Sequence, residues 1–321
     1  MVAKPAASIA GQDGVAHVRL TGATPAERAE TVLAAEPTAL LLGTSVQAVV
    51  ERELTRRARG RVPTLAVLDA MLFVERRFGD GMAELADLVA CPDQATAARL
   101  REAGAPADRL VVTGNPTLEE IGLAGAQDPA IVPEPGRLLE PRTQDPEPVD
   151  ILFVSSPVAA MRLRGAVFAI DEREALADVL DALAGLSSLA PDGFHVRVRL
   201  HPVQRCEGLP VPLPGIVLAS DNDPDRLASC ARARVVVGLS STLLGEARFL
   251  PRPAIAYLPG PFWDRERVFA PEYGVELARS PGQLRAMLLD ALSRPPAPAP
   301  LADHLGAAGR IADLLGSLPT R

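Results

Sequence analysis

The sequence predicts an α/β protein made of two Rossmann-like domains whose parallel sheets face a central cleft. Three observations predict it. Short apolar runs alternate with amphipathic stretches along most of the 321 residues, the pattern of a parallel sheet wound by helices. The alternation stops over residues 125–148, where proline and charge dominate, and then resumes. The second half also carries VVVGLSSTLLGEA (235–247), an apolar strand that ends in small hydroxyl residues and opens a helix. Unpaired amide N–H groups and the helix dipole make such a junction attractive to anions.

In order along the chain, residues 1–15 read as a loose tail and HVRL (17–20) as a short strand. TPAERAETVLAAE (24–36) predicts a helix with Thr24 as its cap and Pro25 in its first turn. ALLLG (39–43) is a buried strand, and Thr44 or Ser45 is expected to cap the helix that runs to Gly60. Strands are expected at 63–69, 86–92 and 110–114, with a helix over 93–104 and the turn NPTLEEIG after the last strand. Beyond the proline-rich joint, strands are expected at 150–156, 195–202, 215–220, 235–238 and 254–260. Residues 157–169 read as a loop over the cleft. Helices are expected over 171–186, 223–233 with Asp223 as cap, 243–249, 280–293 and 301–317. The domains follow: 1–124, a linker at 125–148, 149–295, and a terminal proline segment and helix at 296–321.

Composition narrows the function classes. Hydrophobic residues make up 48% and aromatics only 3%, so the core must be built from Leu, Val and Ala. A net charge of −7 argues against nucleic acid or an anionic membrane as the partner, although helix ends still bind phosphate on an acidic protein. Lys4 is the only lysine, which points to codon usage rather than to chemistry. Cys91, Cys206 and Cys230 are scattered and form no CxxC, so neither a disulfide framework nor a zinc site is indicated. No apolar run is long enough to span a bilayer and no signal-peptide core is visible, so a cytoplasmic protein is expected.

Several segments together resemble the GT-B superfamily of sugar-nucleotide transferases and hydrolysing UDP-GlcNAc 2-epimerases. They are ADLVACPDQATAARLREAGAPADRLVVTGNPTLEEI (86–121), RLHP (199–202) and GLSSTLLGEA (238–247). The resemblance covers roughly 38–293 and rests on the order and separation of these motifs. The His-Pro and Ser-Ser motifs are similar to those of transferases that use CMP- or CDP-activated donors for capsule and teichoic-acid polymers. The segment after PTLAVLD is similar to the epimerases, with Glu75, Arg76 and Arg77 as a partial match to their Glu-Glu-x-Asn-Arg pattern. The family's first glycine-rich strand-loop-helix is missing or replaced by MVAKPAASIAGQDG.

The resemblance implies a metal-independent glycosyltransferase with no cofactor, a nucleotide-sugar donor held by the second domain and an acceptor, of unknown identity, held by the first. An epimerase and a non-catalytic nucleotide-sugar binder are the alternatives, and a homodimer is left open. On this reading Gly238, Ser240, Ser241 and Thr242 hold the leaving phosphate, together with Ser155 and Ser156 at the end of their strand. Glu246 sits one turn past Thr242 and accepts from the ribose hydroxyls. His201 donates to the phosphate or relays a proton, its ordinary pKa lying near neutrality. Asp69, at a strand's carboxyl end, is the expected base, with Glu75 behind it. Thr44, Ser45, Arg76, Arg77 and Asn115 are expected on the acceptor side, the arginines as planar clamps for an anion. The structural alternatives are helix capping for Ser241, Thr242, Thr44, Ser45 and Asp69, a solvated side chain for Glu246, a solvated face or salt-bridge cluster for Glu75, Arg76 and Arg77, and a sheet-edge role for His201, where the resemblance favours function; His17, His195 and His304 lack such context and are read as structural. The DNDPD run (221–225) is read as a helix cap rather than a metal site.

Overall fold

A computed structural model describes residues 20, 22–45, 48–68, 74–127, 148–159, 168–204, 210–260, 273–294 and 302–319. The expected tail, most of HVRL, Asp69, Cys206, most of the linker at 125–148, most of the loop at 157–169 and the proline cluster before the last helix lie outside the described residues.

The first lobe is a four-stranded parallel sheet in the order β1-β2-β3-β4, formed by Leu40–Gly43, Thr64–Val67, Leu88–Cys91 and Leu110–Val112. Its helices are α1 (Pro25–Leu33), α2 (Val49–Ala58) and α3 (Gln94–Glu102). Thr24 and Glu27 close a reciprocal capping box at α1, and Asp93 caps α3 by accepting from Thr96 N–H at 2.6 Å. The start of α2 differs from expectation. It begins at Val49 with Ala48 at the cap position and no side-chain cap, while the Thr44 hydroxyl donates to the Val67 carbonyl at 3.1 Å. Thr44 therefore ties β1 to β2 instead of capping a helix.

The second lobe is a six-stranded parallel sheet in the order β10-β9-β8-β5-β6-β7. Its strands are β5 (Val149–Val154), β6 (Phe194–Arg199), β7 (Ile216–Ser220), β8 (Val235–Gly238), β9 (Ala254–Tyr257) and β10 (Glu276–Ala278). Helices α5 (Glu172–Ala184), α6 (Arg226–Arg232), α7 (Thr242–Phe249) and α8 (Pro281–Ser293) follow in chain order. The capping chemistry again sets their starts: Asp171 and Glu174 box α5, and Ser280 caps α8. At α6 the cap is Asp225, not Asp223. Asp223 accepts from Asp225 N–H and pairs with Arg232, which postpones the helix by two residues.

Two helices cross between the lobes. Helix α4 (Pro116–Gln127) follows the last strand of the first sheet, yet its Leu118 and Ile121 lie in the large core of the second. Helix α9 (Ala307–Gly316) returns, packing Ile311 against Leu65 and Ala90 of the first sheet, with Leu318 just beyond it. Gly114 makes that return possible. Its φ of +83° suits glycine, and a Cβ there would stand 2.8 Å from the Asp303 carbonyl oxygen.

Candidate active site

The second sheet contains a reversal of strand order. From β5 the chain moves outward through β6 and β7, then returns to the other side of β5 as β8 and continues through β9 and β10. Ligands of open parallel sheets bind at the carboxyl ends of strands where this reversal occurs. Here it falls between β5 and β8, and the residues beyond those two strands are Ser155-Ser156 and Ser240-Ser241. The first sheet runs through its four strands without a reversal.

Register aligns the candidates. Val154 pairs with Arg199 on one side and with Gly238 on the other. Ser156, His201 and Ser240 each stand two residues past one of that aligned trio. The hydroxyl of Ser156 donates to the Ser240 carbonyl at 3.1 Å, joining the two strand ends across the reversal. Ser155 and Ser156 are buried, at 3% and 4% exposure. Gly238 is required inside the sheet: a Cβ would collide with the Val154 carbonyl oxygen. Its lack of a side chain therefore serves strand packing first.

Ser241 caps α7, accepting from Leu243 N–H at 3.3 Å, and Thr242 is the first helical residue. Ser240, Ser241 and Thr242 are all half-buried, so the start of α7 is lined by hydroxyls at the reversal point. A helix start is electrostatically favourable to a phosphate, and neighbouring hydroxyls add donors.

His201 is an exposed residue whose backbone N–H donates to Gln204 Oε1 at 2.8 Å, while its Nδ1 accepts from Val203 N–H at 3.4 Å. That assigns the ring proton of the neutral form to Nε2, an inference from hydrogen bonding. Partial desolvation of the ring holds its pKa below the usual histidine value. Gln204 Nε2 reaches the Ser156 carbonyl at 3.3 Å and Glu172 Oε1 at 3.0 Å, so the turn after β6 is fastened to the loop after β5.

Glu246 is buried and its Oε2 accepts from Arg226 Nε at 2.8 Å. The Asp221-containing run is likewise engaged: Asp221 binds Arg197 at 3.1 Å, Arg199 at 2.9 Å and the Ser229 hydroxyl at 3.0 Å. Those arginines hold the Asp221 carboxyl below its usual range despite the opposing effect of burial. Among the described residues no cluster of three or more His, Cys, Asp or Glu has the arrangement of a metal site.

The first-lobe candidates separate. Arg77 donates to the Thr44 carbonyl at 2.8 Å, bringing those two together near the ends of β1 and β2. Ser45 follows directly. Glu75 and Arg76 share with Arg77 a single 3-10 turn, Val74–Phe78. Glu75 is engaged by the buried Arg99 through both oxygens, at 2.9 and 3.1 Å. Asn115 is a helix cap: its Oδ1 accepts from Thr117 and Leu118 N–H at 2.9 and 3.4 Å, and the residue is 1% exposed. Asp69 lies outside the described residues. A cavity of about 320 Å³ between α1 and α2, lined by Thr24, Val49, Arg52 and Glu84 among others, is unrelated to any of these groups.

Sequence reasoning missed Arg226, whose partner is 20 residues away, and the junction around His304. That histidine is buried between Phe249 and Tyr273, with ring centroids 5.2 and 6.3 Å distant, and its Nδ1 accepts from Asn115 N–H at 3.1 Å. Neither had a local signal in the chain.

No family model and no curated protein sequence matches the chain. Solved structures do. The UDP-GlcNAc 2-epimerase from Neisseria meningitidis bound to UDP-GlcNAc is similar at a TM-score of 0.59 and 11% identity, over 98% of this chain and 89% of that one. Staphylococcus aureus MnaA with UDP is similar at 0.64 and 14%, over 98% and 88%. Anabaena Alr3699/HepE in complex with UDP and glucose is similar at 0.54 and 13%, over 97% and 89%. These likenesses establish the fold, two parallel-sheet domains of the GT-B kind. They also correct the main functional expectation. Several of the solved structures that share the fold along almost its full length are UDP-GlcNAc 2-epimerases, so the glycosyltransferase reading gives way to its epimerase alternative.

Proposed function

We infer that the chain binds a uridine-diphosphate sugar at the carboxyl edge of β6, β5 and β8 and changes the configuration of the sugar, in the manner of a 2-epimerase. One observation carries the reading: the only reversal of strand order among the described strands is flanked by four serines, and a capped helix starts from it. Fold kinship with proteins solved with UDP or UDP-GlcNAc supports the choice of nucleotide.

In this reading the start of α7, with Ser240, Ser241 and Thr242, holds the diphosphate, and Glu246 faces the ribose. His201, neutral near pH 7, donates from Nε2. Stabilising negative charge on the nucleotide is the main contribution of this lobe. Inverting a sugar carbon needs a group that removes a proton and one that delivers it. Glu75 is committed to Arg99, so Asp69 carries the first-lobe half of that task.

The test is incubation with UDP-GlcNAc and no acceptor, followed by proton NMR of the sugar. The reading expects a changed configuration at C2, and loss of nucleotide binding in a Ser241→Ala/His201→Ala variant. An unaltered sugar with no measurable UDP binding overturns it. The Glu75–Arg99 pair favours one second reading, a nucleotide-sugar binder without turnover; tight binding with an unaltered sugar selects that one.

A further inference from the structure

Glu246 is an awkward neighbour for a diphosphate. It lies on α7 five residues beyond the cap Ser241, and its side chain is only 11% exposed. An ionised carboxylate there works against the positive end of the helix and loses hydration on burial. Arg226 answers both problems. It is the first residue of α6, the helix that begins beside the carboxyl end of β7. Its Nε donates to Glu246 Oε2 at 2.8 Å, its side chain is 48% exposed, and its two terminal nitrogens make no hydrogen bond among the described residues.

The geometry points to Arg226 as the positioning residue that adapts Glu246 to a nucleoside diphosphate. The guanidinium cancels the carboxylate charge, so a diphosphate is tolerated at the start of the same helix. This inference rests on the reading of the site given above. It has a consequence that simple structural support does not share: a nucleoside without phosphates has no use for the cancellation. Arg226 therefore sets the preference for nucleotide over nucleoside.

The experiment titrates the full chain with UDP by calorimetry and with uridine by ligand-observed NMR, for the wild type, Arg226→Ala, Arg226→Lys and Arg226→Ala/Glu246→Gln. Arg226→Ala should weaken UDP by about tenfold, the scale of one charge interaction at a partly exposed site, and leave uridine within about twofold. Removing the stranded charge in the double variant should recover most of the UDP affinity. Arg226→Lys, which keeps the charge without the planar fork, should fall between wild type and Arg226→Ala. Equal losses for UDP and uridine, an unchanged UDP affinity in Arg226→Ala, or a double variant no better than the single one overturns the inference. If Arg226→Ala fails to fold, the Lys and double variants still decide it by the same UDP-to-uridine ratio. A wild type that binds neither ligand overturns the site itself; a wild type that binds UDP, with Arg226→Ala indistinguishable from it, sinks only the role of Arg226.

Discussion

The Tyr273 hydroxyl donates to Asp93 Oδ2 at 2.6 Å, while Asp93 Oδ1 caps α3. One carboxylate thus serves as a helix cap in the first lobe and as an acceptor for the second.

Separate losses follow from that double duty. Tyr273→Phe removes one hydrogen bond and should cost about 1 kcal/mol. Asp93→Ala removes the cap as well and should cost roughly 2 kcal/mol or more in urea unfolding. Equal costs for the two variants would refute the shared role.

His304 should make stability depend on pH. Burial, the largest influence, holds its pKa below the ordinary value; Asp93 and Asp303 oppose that and Arg310 adds to it. The unfolded chain therefore takes up a proton near pH ~6.5 that the folded chain refuses. Stability is complete above that pH and declines as the pH falls below it. His304→Gln should flatten the decline between about pH 7 and about pH 5, where carboxylates contribute little. His201→Gln should change it less, because His201 is exposed. An unaltered slope in His304→Gln would rule this out.

Gly238→Ala should destabilise by about 1–3 kcal/mol through overpacking against the Val154 carbonyl, with the thermal midpoint falling accordingly. Gly282→Ala, a helical position where nothing lies within 4 Å, is the control and should not destabilise.

Glu119 on α4 accepts from Gly306 N–H at 2.5 Å and Ala308 N–H at 3.1 Å, capping α9 from another helix. These backbone donors, led by Ala308 and set against slight desolvation, hold its carboxyl below the usual range. Glu119→Ala should cost about 1 kcal/mol and quicken proteolysis around residues 302–319. Undiminished resistance would show that α9 is held without it.

The parts legible in the sequence were those written in short-range chemistry. Thr24 with Glu27 and Asp171 with Glu174 carry their helix starts within four residues, and the apolar run Val235–Val237 needs no context to read as a buried strand. Strand β10 escaped because three residues beginning with an exposed glutamate give no period, and pairing with β9 supplies what the local pattern lacks. The Asp223 cap was misplaced because Asp223 and Asp225 offer the same chemistry, and only Arg232 decides between them. The hydroxyl-lined helix start was visible, but Arg226 and His304 act over 20 and 189 residues and left no mark. Hydroxyls and a helix start also announce a phosphate without stating what becomes of the sugar, which is why the transferase expectation did not survive comparison.

The return of α9 to Leu65 and Ala90 has a consequence for how the molecule is made. During synthesis the first lobe leaves the ribosome long before the residues that cover one face of its sheet. It must wait, half-clad, while the whole second lobe is translated. Dividing the gene between the lobes would leave the earlier half permanently in that state, unless residues 302–319 were supplied in trans.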